Sequence, residues 1–197
     1  LPTAISDEDW PAYRQMDYGN ALHWTYEIAD SNIVQKGIAV RLDDGDGGVS
    51  RGRAFAVYDQ DTMSLAAVWS GDGFIDWRGG AFYGSHNSHA HIRGDLLFAA
   101  PNEPGWADPA TGAWQDQRIV GRDGKRYGPL PKSWLQFLGR QQIGPQSIIA
   151  YRVGSVQVRE TPGMQEVYGT KVFTRRLEVE PSTQDLWVRL APVSDDV

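Results

Sequence analysis

The sequence predicts an all-β protein: an antiparallel β-sandwich, jelly-roll-like, with a long irregular Trp/Pro-rich insertion and at most short helices. Three observations predict it. Apolar residues recur with a period of two rather than with the helical period, in short runs. Those runs are bounded by Gly, Asp or Ser, the residues that build turns. No repeat of fixed length appears, which removes propellers and solenoids and leaves a sandwich or barrel.

In chain order, residues 1–31 read as a mixed N-terminal extension, with a short helix at Ser6–Tyr13 capped by Ser6 and Asp9. Strands follow at Gly37–Leu42, Gly52–Tyr58, Met63–Trp69 and Phe74–Trp77. The first two are joined by the turn Asp43–Gly48, and the next pair by the polar corner Asp59–Asp61. Ile92–Ala99, Ser147–Val153, Val156–Glu160, Lys171–Glu180 and Leu186–Leu190 continue the series, with Gly154-Ser155 as a two-residue hairpin turn. Residues 101–145 interrupt it as a long insertion loop holding Trp106, Trp114, Tyr127 and Trp134 among many prolines. One helix is expected there, opened by Pro131, with Trp134, Leu135 and Leu138 on its face and Gly139 closing it. Nothing marks a second domain, so 1–197 reads as a single β-sandwich domain.

Composition narrows the function. Hydrophobic residues at 41% and charged residues at 22% describe an ordinary globular chain rather than a disordered one. With no cysteine, disulfide scaffolds, thiol catalysis and covalent haem attachment are excluded. Nineteen Lys plus Arg against 25 Asp plus Glu, net −6, argues against nucleic acid as a partner, and the basic residues form no stripe. No apolar run approaches the ~18 residues of a membrane span.

Several words of the sequence, MDYG at 16–19, NIVQKGIAVRL at 32–42, AVWSGDGFIDW at 67–77, GWA at 105–107, GRDGKRYGPLP at 121–131 and VFTR at 172–175, carry a resemblance. The chain resembles a domain found at the N-terminal side of large secreted bacterial proteins that also carry c-type haem domains and are associated with carbohydrate. The resemblance implies a periplasmic or secreted module with neighbouring domains as partners. The haem-attachment element Cys-x-x-Cys-His is absent, so the resemblance implies no haem on this chain.

All but one of the four histidines lie in the segment 84–95, GSHNSHAHIRGD. In an extended strand, positions 89, 91, 93 and 95 share a face, so His89, His91 and Asp95 can converge on a cation with His86 reaching in from the turn. Imidazole with carboxylate suits Zn or Cu, and equally Fe, Mn or Ni. The spacing is similar to the first metal motif of cupin barrels, with Asp in place of Glu and only the distant His23 outside the cluster. The competing reading is a polar histidine turn. A Gly at position 45 and the lack of a closing Glu exclude an EF-hand at Asp43, Asp44 and Asp46. Asp59 and Asp61 read as turn residues, whereas Asp72 and Asp76 lie beside aromatics in a pattern suited to sugar hydroxyls and ring faces. Trp69, Trp77 and Trp187 are strand residues, which are usually core. Trp106 and Trp114, in NEPGWADPATGAWQDQR, either pin the loop to the sandwich or face a ligand.

The leading expectation is an extracytoplasmic carbohydrate-recognition or accessory module of a larger protein. Its apolar contacts are Trp69, Trp77, Trp106 and Trp114, and its polar ones Asp72, Asp76, His86, His89 and Arg93. The first alternative is a metal-dependent enzyme acting on carbohydrate. It uses His86, His89, His91 and Asp95 as ligands, or His86, His89 and Asp76 directly as acid and base. The second is a structural docking domain. A sandwich hosts all three.

Overall fold

Thirteen strands and the short 3-10 turn Val49–Arg51 make up the regular structure of a computed structural model that describes residues 16–29, 32–77 and 89–190. The described residues contain no α-helix, and none of their elements is a helix long and apolar enough to cross a membrane. The all-β, sandwich-like architecture is the one the alternation predicts. The expected helix at Ser6–Tyr13 lies outside the described residues.

The larger sheet is built from β1 (Ala21–Ala29), β2 (Asn32–Arg41), β3 (Ala54–Asp59), β4 (Ser64–Ser70), β5 (Ile75–Asp76), β6 (Ala90–Ile92) and β7 (Asp95–Ala99), in the order β5-β6-β1-β2-β3-β4-β7. Strand β1 thus lies inside this sheet and is not part of an extension, because its apolar residues alternate: Tyr26 and Ile28 are buried and Leu22 and Trp24 pack against the same cluster. All pairs are antiparallel except β1 with β6. Only Arg93 and Gly94 separate β6 from β7, although these strands lie toward opposite ends of the order. The sheet must therefore curl until the two regions meet. Gly94, at φ +114°, makes that bend, and a Cβ there would stand 2.6 Å from the Ser70 carbonyl oxygen.

A second sheet, β10 (Leu135–Ile143), β11 (Gln146–Val153), β12 (Val156–Val167) and β13 (Thr170–Val179), runs as a meander in chain order. In the first sheet the meander β1 to β4 is extended by β7 beside β4 and by the β5–β6 hairpin beside β1, and the second sheet is a plain meander. Between β11 and β12, Gly154-Ser155 forms the expected tight turn, with Gly154 at φ +60°.

Two cores result. Tyr26, Phe55, Val57, Trp69, Phe74 and Ile75 fill the inside of the curl. Ile38, Val40, Tyr58, Val68, Ile149, Tyr151 and Val158 fill the space between the curl and the second sheet. Strand β3 is consequently buried along its whole length, with Phe55 and Val57 serving one core and Ala56 and Tyr58 the other.

The insertion 101–145 is more ordered than its composition indicates. It holds a small hairpin, β8 (Ile119–Val120) with β9 (Arg126–Tyr127), and sends Trp106, Leu130 and Trp134 into the inter-sheet core. The helix expected after Pro131 does not form. A single turn, in which Trp134 and Leu135 donate to the Pro131 carbonyl, leads straight into β10. The helix-like spacing of Leu135 and Leu138 has another cause: the register skips Leu138 between Phe137 and Gly139, a bulge that turns Leu138 outward. Leu186–Leu190 is likewise no strand. It makes one bridge, Val188 to Trp106, flanked by Ala107 N–H to Trp187 O and Arg189 N–H to Gly105 O, and Trp187 is exposed.

Candidate functional site

Trp114 is the residue of the predicted aromatic set that reaches solvent with its surroundings built. Its side of the insertion forms a hollow of about 410 Å³ with Asn102, Glu103, Asp116, Lys125, Arg126 and Arg189. The floor is held by Arg118, whose side chain is 2% exposed. Its guanidinium donates to both Asp116 oxygens, at 2.8–3.1 Å, and to the carbonyl and Oδ1 of Asn102, at 2.9 and 3.0 Å. Burial raises the Asp116 carboxyl, but hydrogen bonds and charge from Arg118 outweigh it and hold it below the usual carboxylate range. The Arg189 guanidinium lies 5.0 Å from the Trp114 ring centroid and is paired with Glu103. Indole, amide and carboxylate are thus set in place before any ligand arrives.

The rest of the predicted aromatic set is core. Trp69 is fully buried and donates its indole N–H to the Phe74 carbonyl at 3.0 Å. Trp77 stacks on Tyr18 with centroids 4.9 Å apart. Trp106 donates to the Tyr151 hydroxyl and accepts, on its carbonyl, the indole N–H of Trp134. These three pin strands and loop together, and only Trp77 touches a hollow. Trp187, expected in the core, lies on the surface, while its neighbours Leu186 and Val188 are the residues of the segment that pack against the inter-sheet core.

Asp72, Trp77 and Arg93 line a separate polar hollow of about 170 Å³ with Arg51 and Arg53, away from Trp114. The histidine cluster is divided. His86 lies outside the described residues. His89 Nδ1 and His91 Nε2 stand 3.5 and 3.9 Å from Glu27 Oε2, and the strand register places Asp76 opposite His91. Asp95 is parted from them by the Gly94 bend and pairs with Ser70 on β4, so the one-face alignment expected over 89–95 fails there. Among the described residues no three His, Asp or Glu side chains are placed to hold a metal ion. His23, the distant histidine, contacts Gln60 through Nδ1 at 3.2 Å, and burial with the nearby Arg140 lowers its pKa.

The acidic turns have structural work. Buried Arg41 spans the Asp43–Gly48 turn, donating to the carbonyls of Asp44, Gly45, Asp46 and Gly48 and to Asp43. Asp59 accepts the Asp61 N–H at 2.9 Å, and Asp61 pairs with Lys36. Burial, reinforced by the Asp61 charge, raises Asp59 to about 6. A carboxyl raised in the folded state contributes stability that is complete below its unfolded pKa and is lost as pH rises through the folded one. Asp59 therefore takes about 2–3 kcal/mol out of stability between roughly pH 4 and pH 6. Asp59→Asn is expected to remove that slope in urea titrations. If wild type and variant differ by a constant amount across pH 4–7, the assignment fails.

Asn102, Asp116, Arg118 and Arg189 escaped the reading of single motifs, since each is an ordinary polar residue. The available signal was their density around Trp114. The family described as Domain of unknown function (DUF6797) matches residues 56–160, just over half of the 197-residue chain. That span runs from within β3 to within β12 and includes the hollow apart from Arg189. No curated protein and no solved structure matches the chain.

Proposed function

The chain belongs to the DUF6797 family, and on that footing we propose that it is a carbohydrate-recognition or accessory module of a larger extracytoplasmic protein. The observation that carries the reading is Trp114, 38% exposed beside an amide and a carboxylate that Arg118 already orients. An indole face takes the C–H side of a pyranose, while Asn102, Asp116 and Glu103 exchange hydrogen bonds with its hydroxyls. Pre-set polar groups lower the ordering cost of binding, which matters for a ligand whose hydroxyls are as well satisfied by water. Three cations, Lys125, Arg126 and Arg189, against two carboxylates make the rim compatible with neutral and acidic glycans. The resemblance to domains of secreted, haem-bearing proteins supports the extracytoplasmic part of the reading.

A glycan array followed by calorimetry tests the proposal. Trp114→Ala is expected to weaken the best glycan about tenfold, with unfolding unchanged. Trp187→Ala, which removes a still more exposed indole outside the hollow, is expected to leave affinity intact. A flat array over neutral and acidic polysaccharides would sink the reading.

A further inference from the structure

In a chain of net charge −6, the hollow of about 170 Å³ beside β5 collects three arginines, Arg51, Arg53 and Arg93, and a single carboxylate, Asp72. Arg51 ends the 3-10 turn, Arg53 precedes β3, and Arg93 follows β6. Glycines leave room for two of their stems. A Cβ at Gly47 would collide with the Arg51 side chain, and one at Gly73 would stand 2.7 Å from Arg93 Cδ. Arg51 and Arg53 are exposed, and among the described residues neither guanidinium has a hydrogen bond or ion pair. Asp72 has no ion pair among those residues either. The buried arginines Arg41, Arg118 and Arg175, by contrast, are each closed by a carboxylate. Like charges around one concave site repel one another, and the cleft focuses their field on whatever enters. That arrangement calls for an anion.

The class of anion follows from the charge count and the geometry of the donors. Three guanidiniums against one carboxylate leave an excess of two positive charges. A carboxylate or a sulfate ester brings one negative charge, whereas a phosphate group brings about 1.5 to 2 at pH 7. Guanidinium forks pair bidentately with phosphate oxygens. A tetrahedral group can serve more than one fork, where the two oxygens of a planar carboxylate serve one. The volume slightly exceeds the roughly 150 Å³ of an engineered cavity that takes benzene, so a group of ring size fits. Trp77 adds an apolar wall for the part of the ligand that carries the phosphate.

We propose that this hollow binds a phosphate group, free or as the monoester of a small molecule, between Arg51, Arg53 and Arg93. The site is independent of the Trp114 hollow and stands whether or not that hollow takes glycans.

Glucose 6-phosphate, glucose 6-sulfate and glucuronate share a ring and differ in the anionic group. With inorganic phosphate as a fourth probe, they are titrated at low salt against the ¹⁵N-labelled 197-residue chain. Inorganic phosphate and glucose 6-phosphate are expected to give saturable shifts at the amides of Gly52 and Gly73, half-complete below about 1 mM. Glucose 6-phosphate is expected to bind at least about fivefold tighter than the sulfate or the carboxylate. An ester tighter than inorganic phosphate identifies a phosphorylated small molecule as the ligand, and equal affinities identify free phosphate; both uphold the site. Arg51→Gln and Arg53→Gln should each weaken phosphate binding about tenfold, with unfolding unchanged. Asp72→Asn should tighten it about threefold, a gain that no structural role for Asp72 produces. Trp114→Ala should leave it intact. The proposal is overturned if no saturable shifts appear, if glucuronate or the sulfate matches glucose 6-phosphate, or if either arginine variant keeps full affinity. Unimproved binding in Asp72→Asn, or weakened binding in Trp114→Ala, overturns it equally.

Discussion

Arg175→Met is expected to lower the free energy of unfolding by about 3–5 kcal/mol, the cost of stranding a buried carboxylate. Glu160 is wholly inaccessible and follows Val156 and Val158 on the inward face of β12, where an apolar residue belongs. Three donors make it tolerable: Arg175 Nε at 2.6 Å, Arg175 Nη2 at 3.2 Å and the Tyr151 hydroxyl at 2.7 Å. Burial works against the charge on Arg175, but the hydrogen bonds and charge of Glu160 prevail and keep it firmly protonated. Removing the cation removes two of the three donors and the compensating charge together. Removing both charges, as in Arg175→Met/Glu160→Leu, strands no ion, so the double variant is expected to recover most of the loss. Urea midpoints for the two single variants and the double one decide this. A strictly additive result would show that the pair is not coupled.

That pair also reaches the candidate glycan site. Arg175 Nη1 holds the carbonyl of Arg189, whose guanidinium packs on Trp114. Tyr151 continues the chain of contacts to Trp106 and on to Trp134, which fastens the insertion to the inter-sheet core. Arg175→Met is therefore expected to weaken glycan binding as well as the fold, whereas Trp114→Ala weakens binding alone.

Trp69→Ala should cost about 3–5 kcal/mol, the range for emptying a large aromatic site in a packed core. Trp69 stacks on Phe55, at 5.1 Å, and on Phe74, at 5.9 Å, in a three-ring cluster inside the curled sheet. Its N–H also satisfies the Phe74 carbonyl where the chain leaves β4 for β5. Trp69→Phe keeps much of the packing and loses the bond, so a smaller drop of about 1–3 kcal/mol is expected. Denaturant unfolding at an unchanged m-value reads both. Stability unaffected by Trp69→Ala, with glycan affinity lost, would return Trp69 to the role of binding platform.

How far the sequence could be read depends on how far apart the interacting residues lie. Turns at Asp43–Gly48 and Gly154-Ser155 were legible because Gly and Asp fix local backbone geometry within a few residues. The strands they join were legible through alternation, and the all-β architecture followed. The helix expected at Pro131 is absent because a β-bulge after Phe137 imitates helical spacing over a few positions. The expected row of His89, His91 and Asp95 failed for a related reason: Gly94 redirects the strand in the middle of the pattern.

The tryptophans separate the two kinds of information most sharply. Trp106 and Trp114 share one Gly/Pro-rich segment and nearly the same neighbours, yet Trp106 is 2% exposed and Trp114 is 38%. What divides them is Tyr151, 45 positions away, which receives the Trp106 N–H, and Arg189, which meets Trp114 at the surface. Chain chemistry alone established an all-β protein with tight turns, an aromatic-rich insertion, no thiol and no haem-attachment element. Closure of the curled sheet through Gly94, the exposure of Trp114 against the burial of Trp69, Trp77 and Trp106, and the pairing of Glu160 with Arg175 came only with the tertiary structure. Periodicity and turn preference act between near neighbours, whereas burial and charge compensation depend on residues that meet only once both sheets have packed.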